Sequence, residues 1–182
     1  PEVFAAAGVG LGALGVVPEV ELQPVPAYRL HAKESAASLT DLLPVIQQEA
    51  DAHDHVDLLW FPHTDRVATK RNDVVGTGEG PPPLPPWRPR LEDDLLANRL
   101  FEGVNRLGAA RPSLVPTINR LTARAIGTRE FADDSWKVFC SARDVRFVES
   151  EYAVPRYSVE AVLTELRAWF ARTNAPVPFP VE

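Results

Sequence analysis

A glutamate, a histidine and a run of glycines are the groups in this chain whose types and spacing could do chemistry. Glu182 closes the stretch "PVPFPVE", in which Val177, Phe179 and Val181 alternate with Pro178, Pro180 and Glu182. That period of two predicts a strand with the apolar residues on one side and Glu182 on the other. Alone, the glutamate indicates nothing more. His63 follows Trp60, Phe61 and Pro62 and precedes Thr64 and Asp65. A histidine where a strand meets a loop can hold a ligand group, since binding residues concentrate there. The structural alternative is a turn in which Thr64 and Asp65 hydrogen-bond to His63. Glu149 and Glu151 share one face of a predicted strand with Val145 and Phe147. Two carboxylates on an apolar face either serve a polar cavity or mark where the strand emerges into solvent.

Gly10, Gly12 and Gly15 spell G-x-G-x-x-G within "GVGLGALG". A dinucleotide site of that pattern needs a strand before the glycines and a helix after them. Here the order is reversed, helix first and strand after. A tight turn is the simpler reading, although glycines also let backbone approach a ligand closely. His53 and His55 lie in the polar stretch "EADAHDHVD" and are expected to be solvated, with a metal held through the neighbouring aspartates as the alternative. Cys140 is the only cysteine, which excludes an internal disulfide and a Cys-rich metal site. It sits in "WKVFCSA" and is predicted to be a buried, inert thiol. No metal site is expected. The chain contains no phosphate loop, no His-Glu-x-x-His and no Gly-x-Ser-x-Gly.

The net charge of −6 argues against nucleic acid as a partner, because phosphate binding needs a basic surface. The 45% hydrophobic and 24% charged composition is that of a soluble globular protein. The longest apolar run, residues 3–17, is broken by glycines and too short to span a bilayer, and it lacks a basic n-region. A cytoplasmic location is expected, with membrane association of the full-length protein left open. The chain begins with Pro1 and has no methionine in 182 residues, so it reads as a fragment.

The elements that must position these groups follow from periodicity. Residues 1–26 predict a short helix, a glycine turn and a strand. "AYRLHAKES" predicts a strand. Ser38 caps a helix whose buried stripe is Leu39, Leu42, Leu43 and Ile46, with Pro44 bending it or marking a later start. Residues 56–75 predict a β-hairpin, and 76–90 a Pro-rich surface connection. Two helices follow over 91–126, interrupted at "ARPSLVP". "SWKVFCSA" and "DVRFVESEYAVP" predict two more strands. Ser158 caps a helix that ends at Asn174, with a staple between Tyr157 and Val162. The mixture, without strict βαβ alternation, predicts an α+β fold: a mostly antiparallel sheet with helices on one face.

Several stretches together resemble one family. "GVGLGALGVVPEVELQPVPAYRL" resembles the last strands of the FAD-binding domain of vanillyl-alcohol-oxidase-type flavoproteins. "DHVDLLWFPHTDRV" resembles the W-x-P-H-T-D/E segment of sugar-lactone oxidases. "FVESEYAVPR" and "VPFPVE" resemble the closing part of the substrate domain in the same group. The group is the aldonolactone oxidoreductases, comprising gulonolactone, galactonolactone and arabinonolactone oxidases or dehydrogenases, with alditol oxidases as close relatives. The resemblance implies that residues 1–26 finish an FAD-binding domain and residues 27–182 form most of a substrate (cap) domain. It implies FAD as cofactor, with Gly12, Gly15, Val16 and Val17 alongside it. It also implies Glu182 as the glutamate of a Glu-x-Arg pair that orients the sugar carbon losing hydride to flavin N5. The paired arginine would fall two residues on. His63 and Glu151 are substrate-side candidates. The implied substrate is a sugar lactone or, as runner-up, an alditol. The implied electron acceptor is oxygen, a cytochrome or a quinone. A non-catalytic sugar-lactone or partner-binding domain is the alternative of another class. The polypeptide alone is expected neither to bind FAD tightly nor to turn over substrate.

Overall fold

The computed structural model describes residues 2–8, 10–85, 87, 101–140 and 148–182. Residues 91–100 of the helices predicted over 91–126 lie outside them, as do Val145 and Phe147. Four strands form one antiparallel sheet: β1 (Arg29–Ser38), β2 (His55–Trp60), β3 (Arg66–Val75) and β4 (Arg129–Asp134), in the order β2-β3-β1-β4. The helices among the described residues are α1 (Glu2–Gly8), α2 (Leu39–Leu42), α3 (Ile46–Ala52), α4 (Phe101–Ala110), α5 (Val115–Arg124), α6 (Ser135–Phe139) and α7 (Val159–Thr173). The α+β class and the antiparallel sheet agree with the sequence pattern.

β1 alternates so that Leu30 and Ala32 are fully buried on one face. Its end is set by Ser38, whose hydroxyl accepts from the Asp41 N–H at 3.2 Å and caps α2. Pro44 has no N–H to continue that helix. The chain therefore takes a 3-10 turn at Leu43–Val45 before α3. The main core lies between one face of the sheet and α2 and α7. It joins Trp60 and Val67 to Leu39, Leu42, Leu43 and Phe170, with Leu163 and Leu166 packed on its margin. Trp60 and Phe170 meet edge to face at 5.6 Å, a favoured geometry for aromatic pairs. Burying each such large apolar side chain contributes roughly 1.5–3 kcal/mol.

β4 and α6 depart from the sequence pattern. "REFADD" forms the strand and "SWKVF" the helix, where a strand was predicted over "SWKVFCSA". A short apolar run suits either structure, so periodicity could not decide. Lys137 Nζ sits 2.8 Å from Asp133 and 2.9 Å from Asp134, which ties the helix to the end of β4. The Ser135 N–H also bonds the Tyr28 carbonyl, which turns the chain out of β4. Cys140 ends up exposed, not buried, because the segment carrying it is no longer a core strand.

Three further predicted strands do not form among the described residues. Residues 16–22 pair with no strand among the described residues, and Val16 is 92% exposed. Alternation makes a strand only where a neighbour accepts its hydrogen bonds. Residues 148–155 are irregular and exposed, with Val148 at 99%. The stretch 177–182 keeps only one bridge, Trp60 to Val181, because Pro178 and Pro180 cannot donate to a ladder. At α7, Ser158 makes no side-chain cap, since a 3-10 turn at Arg156–Ser158 already starts the helix. Tyr157 is exposed, so no staple forms. Asn174 does end α7, in the left-handed conformation at φ +50°.

Candidate functional site

The turn between β2 and β3 gathers the polar groups that hold the C-terminal stretch. Thr64 shapes it: its hydroxyl donates to the Phe61 carbonyl at 2.8 Å and accepts from the Arg66 N–H at 3.0 Å. This places His63 at φ +66°, a left-handed conformation uncommon for a non-glycine residue. The ring then points away from Thr64 and Asp65. Its Nε2–H donates to the Ala175 carbonyl at 2.8 Å, and its ring meets that of Phe170 edge to face at 5.7 Å. The expected bonds from His63 to Thr64 and Asp65 are therefore absent. His63 ties the end of α7 to the hairpin.

A second clamp comes from α5. Asn119 is fully buried, and its amide nitrogen donates to the Pro62 carbonyl at 3.1 Å and the Val177 carbonyl at 2.9 Å. The third is the reciprocal bridge in which Trp60 and Val181 exchange N–H to carbonyl bonds at 2.8 Å each. Val181 packs into the core beside Trp60. Alternation then places Glu182 on the opposite face of the sheet, where it is exposed. The sequence pattern anticipated that side for Glu182, but gave no sign of Asn119. A lone polar residue in an amphipathic helix carries no signal of what it bonds.

Asp65 organises the other side of the turn. It accepts from the Ser38 hydroxyl at 2.6 Å and from the Thr40 hydroxyl and N–H at 2.6 and 3.1 Å, with Arg167 at 3.3 Å. Burial pushes its carboxyl up, but these hydrogen bonds and the Arg167 charge outweigh it and hold the pKa below the ordinary aspartate value. Asp65 thus spans α2, the hairpin and α7.

The remaining candidates lie apart from this corner. Glu151 is exposed in an irregular segment, not on a strand face. His53 is not simply solvated: its Nδ1–H donates to Asp73 at 2.9 Å. Burial pushes Asp73 up, and hydrogen bonds from His53 and the Asp54 N–H, with the charges of His53 and Lys33, hold it lower than an ordinary aspartate. His55 stacks edge-on against Phe139 at 5.0 Å. No group of three or more metal-ligating side chains occurs among the described residues. Nor is any described helix long and apolar enough to cross a membrane.

The glycine segment is an exposed turn. Gly12 and Gly15 adopt φ +78° and +116°, with nothing within 4 Å of where a Cβ would stand. Val16 and Val17 are exposed, and no described side chain closes over the stretch. By themselves these residues do not enclose a dinucleotide.

Comparison with known proteins places these observations in a family context. The family model described as D-arabinono-1,4-lactone oxidase matches residues 20–182. The chain is 34% identical over 179 residues to an L-gulono-1,4-lactone dehydrogenase of Mycobacterium tuberculosis, covering 98% of this chain and 41% of the relative. It is 29% identical over 192 residues to an L-gulonolactone oxidase of Scyliorhinus torazame, covering 100% and 41%. It is 26% identical over 121 residues to a D-arabinono-1,4-lactone oxidase of Yarrowia lipolytica, covering 66% and 22%. The chain thus spans about two fifths of the length of the curated relatives that it matches throughout.

Proposed function

The chain belongs to the D-arabinono-1,4-lactone oxidase family, and from that premise we propose that the whole protein oxidises a CH–OH group of a sugar-derived aldono-1,4-lactone. Gulono-, galactono- and arabinono-lactones are the substrates to consider. The cofactor in this proposal is FAD, on the family resemblance alone. Residues 1–26 complete the FAD-binding domain, and residues 27–182 form the substrate domain.

The observation that carries the proposal is the family match across residues 20–182. The residue with the central role is Glu182. Its carboxylate accepts hydrogen bonds from sugar hydroxyls and orients the carbon to be oxidised. The clamps at His63, Asn119 and Trp60 support that role, because each fixes the backbone leading to Glu182. A carboxylate at the end of a loose tail could not hold a substrate in a reactive orientation.

Purified full-length protein, assayed with the three lactones under oxygen and with an artificial acceptor, tests this. Two-electron reduction of the acceptor with loss of lactone is the expected result. Absence of turnover with all lactones and acceptors overturns it.

A further inference from the structure

We propose that Lys70 and Asp57 form a second substrate subsite, on the same face of the sheet as Glu182, that grips oxygens of an uncharged polyhydroxylated ligand. This inference rests on the function proposed above.

The strand register supplies the geometry. Asp57 lies opposite Lys70, Lys70 opposite Glu34, and Glu34 opposite Arg129. One cross-strand row thus runs acid, base, acid, base through all four strands. The opposite face carries Val67, Thr69 and Arg71 of β3 and the core residues Leu58 and Trp60 of β2. The row therefore points away from the main core. Glu182 follows Val181, which bridges Trp60, and so falls on the side of Leu59 and Asp57.

The two ends of the row differ. Arg129 saturates Glu34 with a two-pronged pair, Nε to Oε2 at 2.6 Å and Nη2 to Oε1 at 3.0 Å. Asp57 and Lys70 are half-buried, yet neither has a hydrogen bond or ion pair among the described residues. A half-buried ammonium and carboxylate left without partners are a donor and an acceptor set side by side, the combination that vicinal hydroxyls and a lactone carbonyl satisfy. The row sums to zero charge, which suits a neutral lactone better than a sugar acid or a sugar phosphate.

The bland reading is a solvated charge ladder that steadies the sheet. Kinetics separate the two. In the full-length protein, Lys70→Met and Asp57→Asn are each expected to raise KM for L-gulono-1,4-lactone and D-arabinono-1,4-lactone by about tenfold or more, with kcat changed by less than about threefold. Lys70→Arg should restore most of the affinity. If Lys70→Met lowers the melting midpoint, Lys70→Gln and Asp57→Asn carry the test. Wild-type KM in these variants, with an active wild-type enzyme, overturns the subsite and leaves the proposed function standing. A wild-type protein that oxidises no lactone overturns both.

Discussion

Asn119 has one amide nitrogen and two backbone carbonyls to satisfy, those of Pro62 and Val177. Asn119→Ala removes both bonds and leaves two carbonyls unpaired in a dry corner. Unfolding in urea should show a loss of about 2–4 kcal/mol, and a change below about 0.5 kcal/mol would show that the clamp is dispensable. His63 makes the parallel link to Ala175, so its removal should loosen the same stretch. Asp65 acts through charge. Its carboxyl titrates lower in the folded protein than in the unfolded chain. Its stabilisation is therefore present above the unfolded value of about 4 and lost as pH falls through the folded one. Asp73 and Asp133 are lowered in the same direction and add to it. Urea midpoints should fall steeply below about pH 4, and Asp65→Asn should flatten part of that slope. A slope unchanged in Asp65→Asn would show that the Ser38 and Thr40 bonds do not favour the ionised form. Only some of the groups at this corner were legible in the sequence. His63 stood out by residue type and position and Glu182 by the family resemblance, whereas Asn119 and the Ser38–Asp65 bond depend on partners far along the chain.

At the level of elements, the connection after β3 is held against the sheet more tightly than its composition suggests. Gly80 adopts φ +83°, and a Cβ there would lie 2.9 Å from the Cβ of Ala132 on β4. Gly80→Ala meets both a backbone penalty and a clash, so a destabilisation of about 1–3 kcal/mol is expected by thermal or urea unfolding. An unchanged midpoint would show that this loop moves aside freely. The β2–β3 hairpin and the Ser38 cap were readable in advance because their signals are local: turn residues between apolar runs, and a hydroxyl before a helical stripe. β4 was not readable. Its sequence is polar, and it becomes a strand because β1 offers a free edge from Arg29 to Glu34. The neighbouring "SWKVF" has the better strand composition and forms a helix.

The whole chain divides into a packed part and an exposed one. From Arg29 onward the sheet, α2 and α7 share a core, while α1 buries no residue and Val16, Val20, Leu22 and Val25 stand exposed. Limited proteolysis of residues 1–182 should cut first between residues 10 and 28 and spare β1–β3, because cleavage needs local backbone freedom. If residues 1–26 complete an FAD-binding domain, as proposed, the same sites should be protected in the full-length protein. Equal cleavage in both would overturn that assignment.

The amino-acid sequence alone determined the class of fold, the hairpin, the helix ends at Ser38 and Asn174, and the family resemblance through its His-Thr-Asp and Pro-Val-Glu segments. Each depends on residues close together in the chain, where propensity, capping and alternation act. Only the tertiary structure decided which apolar runs became strands, since a strand requires a hydrogen-bonding edge that another segment supplies. It alone brought Asn119 to Val177 across 58 positions and set Asp57 opposite Lys70 across two strands. Register and face are properties of paired strands, and no single stretch contains them.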